Sequence, residues 1–165
     1  MLRRLLLAAG LGVCAVLAAA VSVSWLDAPL AIASRAASSL ETLTVETTGG
    51  PKSFKVELAL TPDQRSRGLM FRKEMAPDHG MFFDMGRTAP AYFWMKNTYL
   101  SLDIIFIDEH GSVATIAENA KPLSEEMIPS GSPIRYVLEL VAGGARRFGI
   151  QVGDKVDIPP RMQAQ

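Results

Sequence analysis

The chain has 165 residues, enough for one domain with its own hydrophobic core. Its 17 Lys and Arg balance 17 Asp and Glu, so no basic stripe of the kind that marks a nucleic-acid binder is present. The single cysteine, Cys14, falls in an apolar N-terminal leader, which excludes disulfides, thiolate zinc sites and a cysteine nucleophile from the domain that follows.

Arg3 and Arg4 precede the apolar run from Leu5 to Ala20, the layout of a signal peptide. Small-residue cleavage patterns follow at Ala18-Ala19-Ala20 and Ala31-Ile32-Ala33. The alternative is an uncleaved anchor, because Leu5 to Leu26 approaches the roughly 20 residues that span a bilayer. Residues 1–33 are expected to be the signal peptide or anchor, 34–41 a linker, and 42–160 a single β-rich domain. The domain is therefore expected to be exported, periplasmic or extracellular, with membrane contact only through the leader if it stays attached.

Leu43-Thr44-Val45-Glu46-Thr47 alternates apolar and polar residues as a half-buried strand does. The turn Gly49-Gly50-Pro51 leads into a second alternating run, Phe54 to Leu60, and the two imply a hairpin. Thr61-Pro62-Asp63-Gln64 has the signature of a capped helix start, predicting a short helix over Pro62 to Leu69. Short strands are predicted at Met81–Met85 and Tyr92–Lys96, separated by a turn over Gly86–Ala91 that contains Pro90. Leu102 to Asp108 is apolar on both faces, the mark of a central strand. Further strands are predicted at Val113–Glu118, Arg135–Val141 and within Val152–Ile158, with a helical turn at Gly144–Phe148. The predicted class is mainly β (α+β): one small domain, barrel-like or a strongly curved antiparallel or mixed sheet of six to eight short strands with one or two short helices.

Five blocks stand out: Gly68-Leu69-Met70-Phe71-Arg72, Gly80-Met81-Phe82-Phe83, Phe93-Trp94-Met95-Lys96-Asn97-Thr98, Leu102-Asp103-Ile104-Ile105-Phe106 and Tyr136-Val137-Leu138-Glu139-Leu140. Together, over about residues 43 to 158, they resemble the uncharacterised prokaryotic family known as domain of unknown function 192. The resemblance implies a compact β-rich domain, often exported, with no established activity. No catalytic residue is carried over with it; the motif positions themselves are the expected functional surface.

Tyr92-Phe93-Trp94 runs straight into Lys96 and Asn97, with Asp103 close behind. An apolar strand ending in convergent polar groups suits a small binding site. A tight hairpin between Tyr92–Lys96 and Leu102–Phe106 would, in one register, put Lys96 and Asp103 on one face. A register shift of one residue would put them on opposite faces. Where they do share a face, the alternative to a ligand site is a plain salt bridge at a barrel rim, with Trp94 as core. Arg72 is expected either to grip a carboxylate or sugar hydroxyls, or to pair with Glu139 or Asp103. Glu139, an acid in an apolar strand, is expected on the outward face or as a paired carboxylate in the pocket; with Asp103 it could make a glycosidase-like pair.

These residues define the expected function: a small exported binding module whose rim pocket takes a polar ligand, carbohydrate and other cell-envelope glycans included. Arg72, Tyr92, Trp94, Lys96, Asn97, Asp103 and Glu139 are the candidate ligand-binding residues. The alternatives are a cell-envelope hydrolase using Asp103 and Glu139, a protein-interaction or assembly module, and a Cu(I)-binding protein using Met70, His79, Met81 and Met95. No cofactor, other metal or nucleic-acid partner is expected. His79 and His110 sit beside glycines in turn-like contexts, and no Ser-His-Asp order or nucleophile-elbow pattern is present.

Overall fold

The computed structural model describes residues 40–163, so the leader, its cleavage patterns, Cys14 and most of the linker lie outside the described residues. Ten elements follow in order: β1 (Glu41–Thr47), β2 (Gly50–Ala59), α1 (Pro62–Arg67), β3 (His79–Phe93), β4 (Leu102–Ile107), β5 (Val113–Ala120), β6 (Ile128–Val141), α2 (Gly144–Phe148), β7 (Lys155–Asp157) and α3 (Pro160–Gln163). The strands form one seven-stranded sheet in the order β5-β4-β6-β3-β2-β1-β7. All neighbours are antiparallel except β2 and β3, which run parallel because α1 and the chain after it make the crossover.

The sheet curls into a half-barrel. Its two outermost strands meet at one corner, where Ser112 bridges Lys155. Val113 N donates to Asp154 O at 2.9 Å, and Val156 N donates to Gly111 O at 2.8 Å. Gly111 makes this closure possible: its φ is +78°, and a Cβ there would lie 2.8 Å from the Val156 carbonyl oxygen.

Alternation along the strands feeds two cores, one on each face of the sheet. The first collects Phe54 and Val56 of β2, Phe82 of β3, Ile105 and Ile107 of β4, and Leu138 and Leu140 of β6. The second collects Ala59, Met81, Phe83, Ile104, Phe106 and Val137 from the opposite sides of the same strands. All six residues of β4 are buried, as expected of a central strand with a core on each side. Gly80 lies in the tightest contact between β3 and β6; a Cβ there would stand 2.4 Å from the Glu139 carbonyl oxygen.

The helix start behaves as its sequence predicts. Gln64 N donates to Thr61 Oγ1 at 3.2 Å and Thr61 N donates to Gln64 Oε1 at 2.9 Å, a reciprocal capping box. The helix stops at Arg67, because Gly68 turns the chain with φ +48° while its N–H still reaches Gln64 O. A third short helix, α3, appears where the sequence offered no clear signal.

Two strand expectations are corrected. Met81–Met85 and Tyr92–Lys96 are not separate strands; one strand, β3, runs from His79 to Phe93 through the proposed turn. It is carried by a long partner, β6, and absorbs Gly86 and Pro90 as register breaks, between Asp84 and Ala89 and between Pro90 and Tyr92. The hairpin between Tyr92–Lys96 and Leu102–Phe106 does not form. Both edges of β4 are already taken by β5 and β6. The chain instead leaves the sheet after Phe93 and turns, with Thr98 N donating to Met95 O at 3.0 Å and Asn97 at φ +56°.

Candidate functional site

Between α1, the outer half of β3 and the turn at residues 94–98 lies a cavity of about 470 Å³. Leu69, Met70, Phe83, Met85 and Phe93 make its apolar walls, Arg65 and Arg67 of α1 edge it, and Tyr92, Trp94 and Met127 stand at its mouth. Phe83 and Phe93 meet edge to face, centroids 5.7 Å apart, and Phe93 meets Phe106 in the same way. The wall is thus anchored in the second core.

Glu139 contributes the one acid to this lining. Strand alternation places it on the second-core face, and pairing registers align it between Met81 of β3 and Ile104 of β4, with Glu57 of β2 one strand further along. The residue is 6% exposed. Among the described residues its carboxyl has no hydrogen bond or ion pair, yet no polar side-chain atom is sealed from solvent without a partner. Its oxygens therefore open onto the cavity. Burial alone pushes the Glu139 pKa up to about 8. At neutral pH the floor of the cavity carries a protonated carboxyl.

The loops next to the cavity lining carry strained backbone. Phe71 (φ +63°), Asn97 (φ +56°) and Leu123 (φ +61°) all adopt left-handed conformations. For a bulky residue this costs about 1–2 kcal/mol. Three loops are stapled there: Phe71 N donates to Asn97 O (2.8 Å), Leu123 N to Thr98 O (3.1 Å) and Met95 N to Ser124 O (2.9 Å). Phe71 and Tyr99 stay exposed and pack edge to face, centroids 6.4 Å apart.

Of the predicted site residues, the structure brings Tyr92, Trp94 and Glu139 to one cavity. The other four lie elsewhere. Lys96 places its Nζ 3.6 Å from Glu125 and 5.1 Å from the centroid of the Trp94 ring, so it makes a surface ion pair and a cation–π contact, not a bond to Asp103. Asn97 forms the turn, and its amide approaches Met70 Sδ at 3.9 Å. Arg72 pairs with Glu57 at 2.6 Å, neither with Glu139 nor with Asp103.

Asp103 is the largest correction. It is fully buried on the first-core face, where Oδ1 accepts from Asn119 N at 2.9 Å and Oδ2 from Ala145 N at 2.9 Å. It is a structural clasp that holds the left-handed Asn119 and the start of α2. Asp103 and Glu139 point to opposite faces of the sheet, so the two-carboxylate hydrolase site has no geometry to support it. Of the residues offered for Cu(I), Met81 and Met95 are core side chains, Met70 lines the cavity, and His79 stands at the start of β3, 4.0 Å from Asp78. Leu69, Phe83, Met85, Phe93 and Met127 were not anticipated as lining. The available signal was the convergence of the Gly68–Arg72, Gly80–Phe83 and Phe93–Thr98 blocks, whose clustering only the fold reveals.

Comparison with known proteins agrees with this architecture. No curated protein sequence matches the chain. A solved structure from Sinorhizobium meliloti 1021, described as a "putative transcription regulator", is 49% identical with a TM-score of 0.69; the match covers 72% of this chain and 95% of that one. A protein of unknown function from Novosphingobium aromaticivorans DSM 12444 is 42% identical with a TM-score of 0.70, over 72% of this chain and 85% of that one. The family model for DUF192, described as an uncharacterized ACR, matches residues 43–158. Those residues span the sheet from β1 through β7, and the chain belongs to the DUF192 family.

Proposed function

We propose that this domain is a ligand-binding module for a small amphiphilic molecule held in the cavity beside α1. The observation that carries the reading is Glu139: a buried carboxyl without a partner among the described residues, on the lining of a cavity of about 470 Å³. That volume lies in the range of about 300–1,000 Å³ usual for small-molecule sites, which pair apolar walls with a few placed polar groups. Leaving a buried polar group unpaired costs about 1–3 kcal/mol, and a ligand that pairs with it recovers that cost.

The lining moves the proposed ligand away from a sugar. Lys96, Asn97, Arg72 and Asp103 are absent from the cavity, and the remaining surface is largely aromatic, aliphatic and thioether. An apolar body would sit among Leu69, Phe83 and Phe93, with one polar group on Glu139 and the mouth covered by Tyr92 and Trp94. The leader supports delivery of this module to the cell envelope, which fractionation would test directly. The regulator description of the relative is not extended to this chain, whose balanced charge gives no reason to expect DNA contact.

The test is a thermal-shift and calorimetric screen of the purified protein against apolar molecules bearing one amine, hydroxyl or carboxylate. Ligands should stabilise the wild type. Met85→Trp, which fills the cavity from a half-buried wall position, should abolish the effect. Hits whose affinity is unchanged in both Met85→Trp and Glu139→Gln would remove the proposed site.

A further inference from the structure

We infer that the cavity is a site for an organic cation, an amine or quaternary ammonium on an apolar body, with Glu139 as its counter-ion. This deepens the binding-module reading and rests on it. Three independent features converge. The first is the acid: 6% exposed, without a partner among the described residues, and part of the cavity lining. The second is the aromatic lining: Phe83, Phe93, Tyr92 and Trp94 all border the cavity, and the π face of such a ring attracts a positive group. The protein already uses one of them in this way, with Lys96 Nζ held 5.1 Å from the Trp94 centroid. The third is the state of Arg65, whose Nη1 donates to the carbonyl oxygens of Leu60 (2.7 Å) and Asp84 (3.0 Å), which takes up part of its donor set within the fold.

The charges around Glu139 leave room for this role. Its neighbours on β3 and β4, Met81 and Ile104, carry none. Beyond Met81, Glu57 is paired with Arg72. His79 stands two residues before Met81 on β3. Arg65, Arg67 and Tyr92 border the cavity. Burial is the sole cause of the raised pKa of Glu139, so none of these groups supplies it with a counter-charge. A bound cation would. It would displace the carboxyl proton to solvent and leave an ion pair inside an apolar wall, so cation uptake and proton release become one event.

The test uses a matched series: benzyltrimethylammonium and phenethylamine as cations, phenethyl alcohol as the neutral analogue, and phenylacetate as the anion. Benzyltrimethylammonium has no proton to lose, so any pH dependence of its binding belongs to the protein. Its affinity should rise about tenfold per pH unit from pH 6 toward 8, and then level off. The Glu139 carboxyl carbon, followed by NMR, should titrate at least about one unit lower when the cation is bound. Glu139→Gln should lose about tenfold or more of the cation affinity together with the pH dependence. Trp94→Leu, at the exposed mouth, should weaken cations about fivefold and phenethyl alcohol less.

If phenethyl alcohol or phenylacetate binds more tightly than the cations, with affinity falling as pH rises through 8, Glu139 is a hydrogen-bond donor. The cation assignment is then wrong while the binding-module reading stands. If no member of the series moves the Glu139 resonance at millimolar concentration, both fail.

Discussion

Replacing Glu139 with glutamine should make the protein more stable at alkaline pH while leaving it little changed near pH 5. In the folded state the carboxyl holds its proton to about pH 8, because burial disfavours the charged form; the ordinary value is 4.5. Below pH 4.5 the acid is neutral in both folded and unfolded chains and costs nothing. Between 4.5 and 8 the unfolded chain ionises while the folded one does not, so stability falls as pH rises, by up to about 1.4 kcal/mol per unit. Above 8 the deficit is complete. The difference of 3.5 units corresponds to about 5 kcal/mol, an upper figure because water reaching the cavity relieves part of it. Against a typical domain stability of about 5–15 kcal/mol, this is a large fraction. Glutamine keeps the shape and cannot ionise. Urea denaturation of both proteins at pH 5, 6, 7 and 8 should show profiles that diverge steadily, with the variant ahead by several kcal/mol at pH 8. Parallel profiles, or a variant equally destabilised at every pH, would refute the argument that an unpaired buried acid sits at this position.

Three further outcomes follow from the packing. Asp103→Ala strands two backbone N–H groups, those of Asn119 and Ala145, and should lower unfolding stability by about 2–5 kcal/mol in a denaturant titration. Gly80→Ala drives a methyl group against the Glu139 carbonyl oxygen at 2.4 Å, and should cost about 3 kcal/mol or more or prevent soluble expression. Leu123→Gly removes a side chain that is 56% exposed on left-handed backbone, and should raise the melting temperature or leave it unchanged. A loss of several degrees would mean that the Leu123 side chain anchors the loop.

Much of the fold was legible because local signals and tertiary structure agree. Apart from Asp103, Leu102–Ile107 is apolar on both faces, and it is indeed a fully buried strand. Thr61 and Gln64 predicted their own capping box. The failures share one cause, that register is a long-range property. Tyr92 to Met95 has strand-forming composition, but the neighbour of β4 is β6, some 30 residues further along the chain, and no local pattern announces that insertion. Lys96 and Asp103 were expected to pair because they are close in sequence; once β6 intervenes they have no reason to meet. Glu139 was recognisable as an anomalous acid in an apolar strand, while the face it chose depended on pairing with Met81 and Ile104. Asp103 looked like a site residue because an acid among isoleucines reads the same whether it serves a ligand or two backbone amides.

The corner where Ser112 meets Lys155 joins segments more than forty positions apart, and it has a consequence for biosynthesis. Until residue 157 has emerged from the ribosome and β7 has docked, the sheet ends on a raw β1 border ready to recruit a foreign strand. A nascent or truncated product lacking that three-residue latch should therefore aggregate far more readily than the finished molecule, whatever the cavity holds.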